Sequence, residues 1–274
     1  MSSVEINGVS TYYEEYGDGP PLVVLHGATS DHQLWAEQLQ PLTDSLRVIV
    51  YDLRGHGQSE GSTHKRYTIE RYADDLAAFI DTLGLERPTV CGLSTGGMIG
   101  YQFAANYPEQ LSALATVGAP TPQTFTLGER LTRVDVAKLL TPIMGNDRLM
   151  RTIDWVWEQL FRDSTTVDMD DLEEIRDSHA CDAPEMQASE REKVMRGVQS
   201  YIGSQLEWDR IDVPVLAMYG ENEPFIDRHT EYLDSVLEEC RVREIPDATH
   251  NSHVDNPEFI IEELQEFHSG FDNH

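Results

Sequence analysis

One serine stands where its hydroxyl could become a nucleophile. The run Cys91-Gly92-Leu93-Ser94-Thr95-Gly96-Gly97 follows the apolar stretch Thr89–Leu93 and opens a helical pattern from Thr95 to about Asn106, stopped before Pro108. Gly-x-Ser-x-Gly between a strand and a helix is a turn so tight that the serine takes a strained backbone, and Gly92 and Gly96 leave room for it. The turn lifts the hydroxyl clear of the sheet to a helix N-terminus, where developing negative charge is favoured. The string alone recurs by chance; its strand–turn–helix setting gives it weight.

A serine hydroxyl attacks poorly until a base takes its proton, so a histidine is required. Of the ten histidines, His250 is favoured, because a short loop after the last strand, Val242–Ile245, can carry it over the strand ends beside Ser94. His253, three residues on, is its rival, with packing or hydrogen bonding inside the same loop as the expected role. The pair could also be read as metal ligands, but no third ligand falls nearby and no metal is expected. His179, His229, His268 and His274 carry no motif and are expected on the solvated surface. The base needs an anionic orienter in its turn.

These groups must be positioned by the elements between them. Val4–Asn7 and Ser10–Tyr16 read as a hairpin around Asn7-Gly8. Leu22–Leu25, Arg47–Tyr51, Thr89–Leu93 and Leu111–Val117 are compact apolar runs of the kind that form buried parallel strands. Gln33–Leu42 and Ile69–Leu83 have helical spacing, the second closed by Gly84. From 121 to 210 the chain reads as successive acidic helices. Strand–helix alternation then resumes at Val213–Tyr219, with a helix near His229–Glu239 and a last one from about Pro257. The expectation is a mostly parallel α/β sheet flanked by helices, with residues 1–120 and 211–274 forming the core and 121–210 a helical cap insertion.

The motifs together resemble the α/β-hydrolase superfamily nearly end to end. Leu25-His26-Gly27-Ala28 is similar to the family's His-Gly loop after its third strand, and Asp52-Leu53-Arg54-Gly55-His56-Gly57-Gln58-Ser59 to the segment after its fourth. Ile245-Pro246-Asp247-Ala248-Thr249-His250, followed by Asp255-Asn256-Pro257, resembles the loop that carries its catalytic histidine. The resemblance implies loop-orienting roles for His26 and His56. It places the triad acid within Gly220-Glu221-Asn222-Glu223-Pro224, where the family has Gly-x-x-Asp; Glu223 takes that position here, with Glu221 and Asp227 as alternatives. It also implies oxyanion donors at the backbone N–H of Thr95 and of Ala28, with Thr29 as the neighbouring alternative.

Charge narrows the function further. The 274 residues include 49 acidic and 20 basic side chains, a net charge of −29 that repels phosphate backbones and anionic lipid surfaces, so neither nucleic-acid nor membrane binding is expected. Only three basic residues are lysines (Lys65, Lys138, Lys193), a balance that resembles proteins working in molar intracellular salt. Three widely spaced cysteines make neither a disulfide framework nor a zinc site. Met1–Gly8 has no basic or apolar run of a secretory leader, and a cytoplasmic location is expected.

The resulting expectation is a serine hydrolase that cleaves a small ester, thioester or lactone with no cofactor: no Gly-x-Gly-x-x-Gly or Walker loop is present. Trp155 and Trp157 of the cap either line an acyl pocket or form the cap's own core. Because the nucleophile is serine rather than aspartate, haloalkane dehalogenase and epoxide hydrolase chemistry are disfavoured. Ser94-Thr95-Gly96-Gly97 also resembles the elbow of cofactor-free haloperoxidases, and carbon–carbon bond hydrolases use the same triad. A non-catalytic binding protein on a hydrolase scaffold is the alternative from another class.

Overall fold

The structure, a computed structural model, describes residues 2–36, 38–125, 186–223 and 226–270. Strand β1 (Ser2–Ile6) turns into β2 (Val9–Tyr16) through Asn7 and Gly8, whose φ values of 46° and 77° supply the twist a two-residue hairpin needs. The apolar runs form β3 (Pro21–Leu25), β4 (Arg47–Tyr51), β5 (Thr89–Leu93), β6 (Ala113–Val117), β7 (Val215–Gly220) and β8 (Cys240–Ile245). All join one eight-stranded sheet in the order β1-β2-β4-β3-β5-β6-β7-β8. The pairs β1/β2 and β2/β4 are antiparallel; every pair from β4 across to β8 is parallel.

The sheet is buried on both faces because its strands alternate between two apolar layers. Val23 and Leu25 of β3 enter one layer with Tyr72, Phe79, Phe103 and Leu233, while Leu22 and Val24 enter the other with Trp35, Leu42, Ile260 and Leu264. The first layer holds α2 (Ile69–Leu83), α3 (Thr95–Asn106) and α5 (Ile226–Val236); the second holds α1 (Gln33–Ala36) and α6 (Pro257–Ser269). Helix α2 follows its sequence signals closely. Thr68 Oγ1 accepts the Arg71 N–H at its start, Gly84 takes φ 62° at its end, and Ile69, Tyr72, Leu76 and Phe79 are buried between them. Among the described residues no helix is long and apolar enough to cross a membrane.

One expected helix does not run its full length. Instead of Gln33–Leu42, the chain makes α1 and then a separate 3₁₀ turn at Gln40–Asp44, with Pro41 in the first turn of the second piece. Proline lacks the N–H an α-helix interior requires, so the chain restarts there. Trp35, Leu39 and Leu42 are nevertheless buried as their spacing suggested.

Most of the insertion expected at 121–210, with Trp155 and Trp157, lies outside the described residues. Its two flanks touch each other: Gly203 N–H donates to the Pro122 carbonyl at 2.8 Å, and Trp208 Nε1–H to Gln123 Oε1 at 3.0 Å. Helix α4 (Ala188–Tyr201) returns against the core, where Gly197 lies so near Tyr67 that a Cβ would fall 1.6 Å from its carbonyl oxygen.

Candidate active site

Ser94 sits between β5 and α3 with φ 51° and ψ −110°, a left-handed backbone for a residue with a side chain. The elbow closes only because its neighbours lack Cβ atoms. One on Gly92 would lie 2.3 Å from the Gly96 carbonyl, and one on Gly96 would lie 2.6 Å from the Leu25 carbonyl of β3. The Ser94 N–H is anchored on the Val117 carbonyl of β6 at 2.8 Å. The turn that strains the serine also aims it, half-buried, above the C-terminal strand ends.

His250 reaches the same place from the loop after β8. That loop is clamped by Asp255, whose Oδ2 accepts both the Thr249 N–H at 2.8 Å and the Thr249 hydroxyl at 2.7 Å. His250 Nε2 lies 3.1 Å from Ser94 Oγ, and Nδ1 meets Glu223 Oε1. A carboxylate can only accept, so Nδ1 carries the proton and the Nε2 lone pair faces the serine hydroxyl. Burial opposes a charge on His250, but the hydrogen bond it donates to Glu223 and the negative charge there outweigh this and hold the imidazole pKa above its ordinary value.

Glu223 follows β7 in the tight turn Gly220–Glu223, where its own N–H donates to the Gly220 carbonyl at 2.9 Å. Its side chain is 7% exposed. The two alternative acids lie elsewhere: Glu221 is exposed and accepts the Asp247 N–H at 3.0 Å, and Asp227 is exposed in the first turn of α5. The structure therefore brings Ser94, His250 and Glu223 together and leaves Glu221 and Asp227 out.

Thr95 is the first residue of α3, a position whose N–H has no intrahelical acceptor. Ala28 follows Gly27, where a Cβ would stand 3.8 Å from that of Ser94, so the loop after β3 runs past the nucleophile. His253 is 3% exposed and packs beside the Trp35 ring at 5.7 Å, with no hydrogen-bond partner for either ring nitrogen among the described residues. Among the described residues no three His, Cys, Asp or Glu side chains converge as a metal-holding group.

His229 corrects the sequence expectation. It is 8% exposed rather than solvated, stacked on Tyr219 at 6.0 Å, with its Nδ1 accepting the Thr121 N–H at 3.2 Å. Helical spacing from α5 pointed it inward, at the same pitch as buried Leu233. His268 is half-buried and bonded to Thr89 Oγ1 at 3.1 Å, while His179 and His274 lie outside the described residues. Sequence reasoning also missed Gly118. It follows β6 with φ 57°, and a Cβ there would lie 2.8 Å from Glu223 Oε1 and 3.1 Å from His250 Nδ1. A glycine directly after a buried strand was the available signal.

The family model of the α/β-hydrolase fold matches residues 20–142. A Bacillus subtilis (strain 168) protein named "Putative 2-succinyl-6-hydroxy-2,4-cyclohexadiene-1-carboxylate synthase" is 32% identical over 249 residues, 90% of this chain and 89% of its own. Among solved structures, a thermophilic esterase from Thermogutta terrifontis superposes with TM-score 0.72 at 24% identity, covering 98% of this chain and 99% of that one. The enol-lactonase from Burkholderia xenovorans LB400 gives 0.68 at 23%, covering 98% and 100%. The chain belongs to the α/β-hydrolase fold family and is an enzyme.

Proposed function

We propose that the protein is a serine hydrolase of small carboxylic esters, thioesters or lactones, working through an acyl-enzyme on Ser94. The observation that carries this reading is the 3.1 Å approach of His250 Nε2 to Ser94 Oγ, with Glu223 on the far side of the ring. His250 takes the hydroxyl proton as Ser94 attacks the substrate carbonyl, and Glu223 keeps the imidazole in the required tautomer and balances its charge. The N–H groups of Ala28 and Thr95 receive the oxyanion. His250 then protonates the leaving group, and water repeats the sequence to free the acid.

In this reading 121–210 is the cap that selects the acyl group, the working compartment is the cytoplasm, and the acidic surface is an adaptation to high salt. Hydrolysis of p-nitrophenyl esters from acetate to octanoate tests the proposal. Turnover that disappears in Ser94→Ala supports it; turnover unchanged in that variant defeats it.

A second reading is favoured by the Bacillus relative, whose name is that of a synthase. There the Ser94–His250 pair serves a step other than acyl transfer and forms no acyl-enzyme. Mass spectrometry after mixing with a slowly deacylating ester separates the two, since only the first adds an acyl group to Ser94.

A further inference from the structure

The loops that follow β6 and β7 meet at two points. Gly118 leaves β6 with its backbone against the acid–base pair, where a Cβ would lie 2.8 Å from Glu223 Oε1 and 3.1 Å from His250 Nδ1. Three residues further on, the Thr121 N–H donates to His229 Nδ1 at 3.2 Å. Glu223 and His229 both belong to the chain that follows β7, six positions apart. Between the two meeting points the Ala119 carbonyl accepts the Tyr219 hydroxyl at 2.8 Å. Behind them the Val117 carbonyl accepts the Ser94 N–H, and the Gly118 N–H donates to the Met218 carbonyl, each at 2.8 Å. A loop held at one point pivots about it. Held on both sides of Gly118, it keeps its distance from the pair.

The far hold is buried and exact in its demand. Thr121 is fully buried and His229 is 8% exposed. A ring nitrogen that accepts an N–H carries no hydrogen of its own, so the neutral His229 ring has its hydrogen on Nε2. Thr121 Oγ1 at 2.9 Å and Thr124 Oγ1 at 3.1 Å close round the same Nδ1. The ring is set by Tyr219, which lies nearly parallel to it at an interplanar angle of 6°, and by Phe125, edge-on at 5.9 Å. Tyr219 thus holds the loop twice, through its hydroxyl on Ala119 and through the ring that holds Thr121.

We infer, on the acyl-transfer reading of Ser94, that His229 is a positioning residue for the acid–base pair: by holding Thr121 it keeps Gly118 against Glu223 and His250. A plain brace would serve stability alone and would leave the reacting groups indifferent to the Nδ1 hydrogen bond. Displacements of about 1 Å at reacting groups cost rate steeply, so slack in this loop is read in turnover.

Two substitutions separate the bond from the packing. In His229→Asn, Oδ1 can stand where Nδ1 stood and accept the Thr121 N–H; in His229→Phe, a ring still fills the space beside Tyr219 and Phe125 but accepts nothing. Both are measured on p-nitrophenyl acetate and by the nitrogen NMR shifts of the His250 ring, which report the nitrogen that carries its hydrogen. His229→Phe is expected to lose between about tenfold and a hundredfold in kcat, with KM within about threefold, and to spread the His250 hydrogen over both nitrogens. His229→Asn is expected to stay within about threefold of wild type and to keep that hydrogen on Nδ1. A His229→Phe variant that keeps either wild-type kcat or the wild-type His250 shifts overturns the inference, as do equal losses in the two variants.

If neither variant folds, the donor side carries the test. Thr121→Pro removes the N–H at a φ of −83°, which proline tolerates, and leaves His229 in place; Thr121→Val keeps the N–H and drops the hydroxyl. The first should repeat the losses of His229→Phe and the second should stay within about threefold of wild type; the reverse order overturns the inference. In the wild-type protein the Thr121 amide should exchange within about tenfold of the rate at Gly118, since a loop held at both points opens as one. Free exchange at Thr121 beside a protected Gly118 overturns the inference without any variant. Wild-type protein that turns over no ester, while its His250 shifts still respond to His229→Phe, defeats the acyl-transfer reading alone. Turnover lost in Ser94→Ala but undiminished in His229→Phe defeats the inference alone.

Discussion

Glu223 divides its carboxylate between His250 and the turn that carries it. Oε1 meets His250 Nδ1, while Oε2 accepts the Gly220 N–H at 3.2 Å, so the acid is tied to the end of β7 before it touches the base. Glu223→Gln keeps the shape but offers His250 an amide, which no longer enforces an Nδ1–H tautomer. It should lower kcat by between about a hundredfold and ten-thousandfold with little change in melting temperature. Glu223→Asp shortens the reach and should fall between that variant and wild type. Full turnover in Glu223→Gln, measured against p-nitrophenyl acetate, would remove Glu223 from the triad.

The same contact fixes the pH dependence. Burial works to lower the His250 pKa and the Glu223 hydrogen bond and charge raise it, with a net upward shift from 6.5. The proposed mechanism needs the neutral ring, so the acid limb of the kcat/KM profile should lie above 6.5 in wild type and move down in Glu223→Gln. For folding, a raised pKa means that His250 contributes stability below 6.5 that is lost as pH rises through its folded value.

His253 acts in the opposite sense. Burial, reinforced by the charge of His250, brings it to about 4, so the unfolded chain binds a proton that the folded state refuses between pH 6.5 and 4. Both of its ring nitrogens are also buried without partners among the described residues. His253→Phe should therefore raise stability at pH 7, by about 1–2 kcal/mol, and lose less than wild type on acidification to pH 4.5. Urea unfolding at the two pH values checks both parts, and a variant that is less stable at neutral pH would assign the ring nitrogens a role in holding the loop.

Gly118 should prove as necessary to the acid–base pair as any charged residue. Alanine at its φ of 57° carries the left-handed penalty of about 1 kcal/mol, and its Cβ would press on Glu223 Oε1 and His250 Nδ1. Gly84 is the control: its φ is 62°, none of the described residues lies within 4 Å of its Cβ position, and it ends α2 away from the site. Gly84→Ala and Gly118→Ala should lose similar stability from backbone strain. Only the second should also lose at least about tenfold in kcat. Equal activity in the two variants would show that the pair does not depend on the Gly118 backbone.

These cases also mark what the sequence could reveal. The strands, α2 and α3 were legible because apolar periodicity and terminators such as Gly84 and Pro108 are local properties. Ser94 and His250 were legible because each lies in a short loop next to a readable strand. Pro41 was legible in principle, yet the spacing of Trp35, Leu39 and Leu42 suggested one helix and outweighed it. Gly118, Thr29 and His229 were not legible in their roles, since each depends on a neighbour brought close by the sheet order: Glu223 for Gly118, His56 for Thr29, and Thr121 for His229. A sequence shows the residue but not the partner that gives it a purpose.

The charge of −29 yields the last prediction, because it sets stability against salt. At low ionic strength the acidic side chains repel one another across the surface, and that repulsion is relieved when the protein unfolds and expands. The screening length falls from about 10 Å at 0.1 M to about 3 Å at 1 M, shorter than most separations between surface charges. The buried Arg54–Asp75 pair, at 2.6 Å and with side chains 2% and 8% exposed, lies within that length and is hardly screened. Added KCl should therefore remove repulsion and spare this attraction. Melting temperature should rise steeply up to about 1 M KCl and then flatten, as screening is exhausted. A rise that continued undiminished to about 3 M, and was matched by sucrose, would point to solute exclusion rather than charge. Equal or greater stability without salt would refute the salt-adapted reading.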